Sequence, residues 1–180
     1  PFAALAQQAT GRHEVLLETN KGNIRVVLYN ETPRHRDNFL KLVKEGYYDG
    51  NLFHRVIADF MIQTGDSTTR HAKPGDTVGQ HQPDYTIPAE IVKGFTHKKG
   101  ALAAARKGDA ANPAKASSGS QFYIVVDPEV CKSLDGDYTI FGETLEGLDV
   151  VDKIAATTTG HRDIPVEPIR IISITQVVEQ

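Results

Sequence analysis

Tryptophan is absent from the 180-residue chain, and methionine and cysteine occur once each, as Met61 and Cys131. A single cysteine excludes an internal disulfide and any zinc site built from several thiolates. No apolar run approaches the roughly 18 residues that a membrane-spanning helix requires. An excess of charge is missing too. With 20 Lys+Arg against 23 Asp+Glu, the formal net charge is -3, and no chain-wide attraction to nucleic acid or acidic lipid follows. Internal repeats and long low-complexity stretches are also lacking. What is present is an ordinary globular composition, 39% hydrophobic and 24% charged. A chain of this length buries roughly 70% of the surface its unfolded form exposes, so it needs no disulfide or metal to fold.

The first residues carry two readings. Ala4-Leu5-Ala6 has the small-x-small form of a signal-peptidase site, with cleavage expected before Gln7. Residues 1–6 are then a signal remnant and the protein is periplasmic or exported. The charged and apolar regions of a signal are missing from the sequence given, however, and the alternative is an alanine-rich leader on a cytoplasmic protein. In both cases residues 1–13 read as a leader or extension and residues 14–180 as the folded domain.

Along that domain, Glu14–Thr19 and Asn23–Tyr29 are β-branched, partly alternating runs joined by Asn20-Lys21-Gly22, which predicts a hairpin. Thr32-Pro33 then opens a helix, Thr as N-cap and Pro at its first position. Phe39, Leu40, Leu42 and Val43 follow at helical spacing, and Glu45-Gly46 closes it. Strands are expected at Leu52–Ile57, Phe60–Gln63, Gly100–Ala105, Gln121–Val126, Tyr138–Phe141 and Ile169–Val177. A second helix fits Leu148–Ala156, with Leu148, Val151 and Ile154 on one face. The polar, Gly- and Pro-containing stretches 64–83 and 106–119 read as surface loops. About eight short strands and two helices leave a sandwich and a closed barrel both open.

The seven histidines include no pair at i,i+4 backed by a glutamate, so no metal site is expected. Ser118-Gly119-Ser120 has no local base, Cys131 has no nucleophile signature around it, and no Gly-rich segment ends in the Lys-Ser/Thr of a phosphate loop. What stands out is Phe53-His54-Arg55-Val56-Ile57-Ala58-Asp59-Phe60-Met61-Ile62-Gln63. On alternating strands Phe53, Arg55 and Ile57 share a face, and Phe60 and Ile62 oppose Met61 and Gln63. An Arg and a Gln amid so many apolar residues are costly if buried without partners. Spacing alone allows Arg55 to be paired with a carboxylate and Gln63 to cap a backbone group.

This stretch, together with Gly119-Ser120-Gln121-Phe122-Tyr123-Ile124 and Leu134-Asp135-Gly136-Asp137-Tyr138-Thr139-Ile140-Phe141-Gly142, closely resembles the cyclophilin family of peptidyl-prolyl cis-trans isomerases. Thr32-Pro33, Asn38-Phe39, Gly46–Gly50 and Tyr85–Glu90 resemble it too, in order from about Glu14 to Val178. The resemblance implies a mainly β fold, a closed eight-stranded antiparallel barrel capped by two α-helices. It also implies an isomerase that accelerates rotation about X-Pro bonds and assists folding, with no cofactor and no covalent intermediate. Its partners would be proline-containing peptides and folding chains, not nucleic acid or a membrane, and the protein would be a monomer. By the same resemblance Arg55 is the catalytic donor to the prolyl nitrogen, Gln63 supports it, and Phe60, Met61, Tyr123 and Leu134 hold the proline ring. Ala105, Arg106 and Gln121 form the wall for the residues before proline.

Three positions depart from the family pattern. Ser133 stands where many members carry Trp, which implies weak binding of the cyclosporin class of inhibitor. Tyr138 stands where many have His, and retains a ring with a polar tip at the substrate groove. Arg106 replaces the commoner Asn of animal members. The loop from 106 to 118 is longer than in compact members, and 67–83 lacks the usual Gly-rich run.

Overall fold

The computed structural model describes residues 11–177. The proposed leader and its cleavage site, and the last three residues, lie largely or wholly outside that range. Strands β1 (His13–Thr19) and β2 (Gly22–Leu28) form the expected hairpin, closing in register at Thr19–Gly22. Gly22 has φ +131°, and a Cβ there would meet Val150 Cγ2 at 2.7 Å, so both backbone conformation and space call for glycine. Helix α1 (Pro33–Lys44) follows, then β3 (Arg55–Ile57), β4 (Met61–Thr64), β5 (Thr86–Ile87) and β6 (Ala101–Ala104). The chain continues through β7 (Ser117–Ser118), β8 (Phe122–Val125), a single-turn helix α2 (Pro128–Cys131), β9 (Ile140–Glu146), α3 (Leu148–Ala155) and β10 (Ile171–Val177).

Eight strands make one antiparallel sheet in the order β10-β1-β2-β9-β6-β8-β4-β3, while β5 and β7 pair separately. The fold is therefore mainly β, as expected, but the closed barrel is corrected: the order is open, and β3 does not pair with β10. The two edges meet only where irregular backbone at 50–53 bonds to 169–171, through Phe53 N to Ile169 O at 2.9 Å and Ile171 N to Asn51 O at 2.8 Å. The strand expected from Leu52 begins only at Arg55 for the same reason. Gly50 turns the chain at φ +80°, and the following residues form a single bridge, Leu52 to Arg170, in place of a ladder.

The sheet is buried on both faces in its middle. Ile62, Leu102, Ala104, Phe122 and Ile124 join the main core with Val15, Leu17, Ile24 and Val26. Their alternate neighbours Met61, Ala101, Ala103, Tyr123 and Val125 form a second cluster on the other face. Period-two alternation produces this split, and double burial explains why β6 and β8 read as continuous apolar runs. Phe39 of α1 reaches into the main core against Tyr48, Phe122 and Phe141, with ring centroids 5.1–5.6 Å apart.

Two local expectations are corrected. Thr32 sits at the N-cap of α1 but its side chain makes no cap. The remote Glu90 carboxylate does so instead, accepting from Arg34 N at 3.3 Å and His35 N at 2.8 Å. The same carboxylate takes His35 Nδ1 at 2.6 Å, and His35 Nε2 meets Ser117 Oγ at 2.8 Å. At the other end, Gly46 N bonds Val43 O and Tyr47 N bonds Leu42 O, the paired bonds of a glycine-terminated helix. In α3, Val150, Val151, Ile154 and Ala155 face the core while Leu148 is exposed. Leu148 lies at the edge of that face, over Gly100.

Candidate active site

The second apolar cluster opens at one point into a groove of about 120 Å³. Strand register builds it. Arg55 lies opposite Gln63, Gln63 opposite Tyr123, and Tyr123 opposite Ala103. Directly opposed residues in antiparallel strands point to the same face, so Arg55, Gln63 and Tyr123 form a row across three strands. Phe60 enters from the turn before β4, and Met61 starts that strand. Ala105 and Arg106 follow β6, Leu134 ends a 3₁₀ turn over Lys132–Leu134, and Tyr138 precedes β9. All nine line the groove.

Phe53 does not share a face with Arg55. It is buried in the main core beside Val56, because residues 51–54 are irregular and the alternation is in phase only from Arg55 onward. Gln121 lies behind the groove. It is buried, accepts a bond from Gln63 Nε2 at 3.1 Å, and donates to the carbonyls of Gly79 and His81 at 3.0 Å each. It thus ties the 79–81 backbone to Gln63. That loop is anchored a second time by Asp66, whose buried carboxylate accepts from Gly79 N at 2.7 Å and from Thr68 N at 2.9 Å. These bonds hold the Asp66 carboxyl below the usual range even though burial pushes it up.

The two guanidinium groups of the groove differ sharply. Arg106 is locked: its Cζ lies 4.4 Å from the Tyr138 ring centroid, Nε donates to Asp137 O at 2.8 Å, and Nη1 pairs with Asp109 at 2.9 Å. The Arg55 side chain is exposed, and its guanidinium forms no hydrogen bond or ion pair with any described residue. Its Cζ lies 5.9 Å from the Phe60 ring centroid. The carboxylate partner that spacing allowed is not there, so its donors are available to a ligand. Ser133 is exposed beside Leu134, its hydroxyl turned back to Val130 O at 3.4 Å.

Beneath the apolar wall, His97 and Asp135 were missed by sequence reasoning. His97 Nδ1 meets Asp135 Oδ1 at 2.7 Å and Nε2 meets the Tyr123 hydroxyl at 2.7 Å. Burial pushes the imidazole pKa down, against the raising effect of the aspartate. Cys131 is buried under Phe60, bonded through Sγ to the Phe60 carbonyl at 3.4 Å. Burial raises its thiol to about 11, which keeps it protonated and unreactive. Among the described residues no three His, Cys, Asp or Glu side chains are grouped as metal ligands. Nor is any helix long and apolar enough to cross a membrane. An unpaired cation at the rim of an apolar pocket can seat a small ring and direct a hydrogen bond at a polar atom next to it.

Comparison with known proteins identifies the family of the chain. Residues 14–176 match the family model for the cyclophilin type peptidyl-prolyl cis-trans isomerase. A peptidyl-prolyl cis-trans isomerase of Acinetobacter baylyi is 36% identical over 178 residues, covering 94% of this chain and 88% of its own. A peptidyl-prolyl cis-trans isomerase-like 1 protein of Rhizopus delemar is 40% identical, covering 84% of this chain and 86% of its own. Among solved structures, a Cryptosporidium parvum cyclophilin type isomerase superposes with TM-score 0.79 at 28% identity, over 94% of this chain and all of that one. The same protein solved in the presence of the dipeptide Ala-Pro gives 0.75 at 27% identity, over 92% and 99% of the two chains. The chain belongs to the cyclophilin-type family and is a peptidyl-prolyl cis-trans isomerase, an enzyme whose reaction passes through no covalent intermediate.

Proposed function

We propose that the groove binds an X-Pro segment with the pyrrolidine ring against Phe60, Met61, Tyr123 and Leu134, and that Arg55 donates a hydrogen bond toward the prolyl nitrogen as the bond twists. Amide resonance sets a barrier of about 18–20 kcal/mol to this rotation. A turnover of order 10³ per second corresponds to a barrier near 13 kcal/mol, so about 5 kcal/mol or more must be removed. Localising the lone pair on nitrogen weakens the resonance, and a guanidinium donor favours that localised state. A hydrogen bond to a charged group is worth roughly 1.5–3 kcal/mol, so Arg55 supplies part of the effect. The remainder comes from an apolar, water-poor groove that fits the twisted amide better than either planar form. Gln63, opposite Arg55 in the ladder and held by Gln121, presents an amide to substrate backbone. Ala105, Arg106 and the Gln121-tethered loop border the residues before proline, and Tyr138, stacked under Arg106, closes that side.

The working unit is residues 14–180, acting as a monomer on exposed proline-containing segments of peptides and folding chains, with the two longer helices stoppering the curled sheet. Ser133 leaves the rim beside Leu134 without an indole, so cyclosporin-class ligands bind weakly. The unpaired guanidinium of Arg55 at the groove rim carries this reading. A protease-coupled assay on an Ala-Pro peptide tests it: the wild type accelerates isomerisation, and Arg55→Ala loses most of the acceleration. A wild type that binds the peptide without accelerating it would make the protein a binding module and overturn the reading.

A further inference from the structure

Two of the groove's side chains, Tyr123 and Tyr138, meet one buried imidazole, and the aspartate that orients it is the chain neighbour of a third, Leu134. His97 is 1% exposed and sits in the irregular segment before β6. Asp135 Oδ1 accepts from both its backbone N, at 2.8 Å, and its Nδ1, at 2.7 Å. An ionised carboxylate only accepts, so Nδ1 carries the proton and Nε2 is a bare acceptor. The Tyr123 hydroxyl, 2.7 Å from Nε2, is therefore the donor in that bond, and its one hydrogen is committed beneath the groove. Burial favours the neutral imidazole that this arrangement requires. Asp135 follows Leu134 directly in the chain. Tyr138 sets its ring edge-on to both His97, with centroids 6.4 Å apart, and Tyr123, 5.9 Å apart. Leu134 and Tyr138 come from the one turn that also holds Asp135, Tyr123 comes from β8, and His97 with its aspartate joins the turn to the strand.

We infer that His97, oriented by Asp135, is a positioning residue for the proline pocket: it fixes Tyr123, Leu134 and Tyr138 as one wall and commits the Tyr123 hydroxyl hydrogen away from the ligand. The inference rests on the proposed binding of proline in this groove. A pyrrolidine ring offers no acceptor, so a free hydroxyl hydrogen on the pocket floor would be left unsatisfied whenever substrate bound. With the hydrogen committed to Nε2, the floor behaves toward the ligand as an apolar ring.

Double-variant kinetics test the inference. His97→Phe keeps a ring of similar size but removes the acceptor, and raises KM for an Ala-Pro peptide about tenfold with kcat within about twofold. His97→Gln, which retains an acceptor, recovers part of that loss. In a Tyr123→Phe background the hydroxyl is gone, so adding His97→Phe changes KM by less than about twofold. A folded His97→Phe protein with wild-type KM, or losses that simply multiply in the double variant, would overturn the inference. If His97→Phe alone fails to fold, the double variant decides: it folds by circular dichroism if the cost lies in the orphaned hydroxyl, and its failure to fold contradicts the inference. The wild-type arm keeps the two ideas separate. A wild type without acceleration counts against the functional reading, and peptide Kd across the same variants then decides for or against the role of His97.

Discussion

Lowering the pH from 7.5 to 5.5 should destabilise this protein through three buried imidazoles. His35, His54 and His97 are 2%, 5% and 1% exposed, and burial lowers the pKa of each from an ordinary value of 6.5. Glu90 and Asp135 oppose the shift at His35 and His97, and Asp66 opposes it at His54, without reversing it. With the folded pKa below the unfolded one, the unfolded chain takes up protons first as pH falls through 6.5. Stability is therefore complete above that value and declines below it, until the folded imidazoles titrate as well. An imidazole that stays neutral in the fold costs about 1.4 kcal/mol at one pH unit below 6.5, so three set a ceiling of about 4 kcal/mol at pH 5.5. Against a typical domain stability of about 5–15 kcal/mol, this loss is large enough to measure. Urea unfolding at pH 7.5, 6.5 and 5.5 is the assay, with the midpoint expected to fall most between 6.5 and 5.5 and His54→Phe expected to flatten the slope. A midpoint that holds steady or rises between 7.5 and 5.5 would refute the argument, because it would mean the folded state accepts those protons as readily as the unfolded chain.

Two further outcomes follow from particular contacts. Thr32→Ala should cost about 1 kcal/mol, through the lost 3.4 Å bond of its buried hydroxyl to Tyr29 O and not through a cap, whereas Glu90→Gln should cost more by weakening two backbone bonds and the His35 pair; chemical denaturation of both variants ranks them, and a larger loss at Thr32 would contradict the cap assignment. Ser133→Trp should tighten cyclosporin binding roughly tenfold, about 1.4 kcal/mol, by adding an aromatic edge beside Leu134; calorimetric titration reads it, and unchanged affinity would show that this rim does not touch the ligand.

The sequence made legible whatever depended on local periodicity. The β1–β2 hairpin, the α1 and α3 spans and the shared face of Met61 and Gln63 follow from alternation and turn residues alone. The motif resemblance added Tyr123, and with it Arg106, Leu134 and Tyr138, which lie in irregular backbone after β6 and in one turn before β9, where no period marks them. What stayed hidden depends on distant contacts. The phase error at Phe53 arises because backbone pairing with residues 169–171 breaks the strand before Arg55. Glu90 caps a helix more than 50 residues away, so no local signature announces it. Gln121 faces the 79–81 carbonyls because the loop folds over it, and His97 reaches Tyr123 and Asp135 across 26 and 38 residues. The open sheet order likewise turns on one irregular stretch, Gly50–Phe53, that composition does not mark.

The central claim, that Arg55 acts on the twisting amide and not on substrate affinity, is tested most directly by measuring peptide Kd and the on-enzyme cis–trans exchange rate together by NMR. Wild type, Arg55→Ala and Arg55→Lys are compared with one Ala-Pro peptide. The account predicts Kd within about threefold for Arg55→Ala and exchange slowed roughly 10- to 150-fold, the equivalent of 1.5–3 kcal/mol, with only partial recovery in Arg55→Lys. Exchange at the wild-type rate in Arg55→Ala, or a loss confined to Kd, would contradict it.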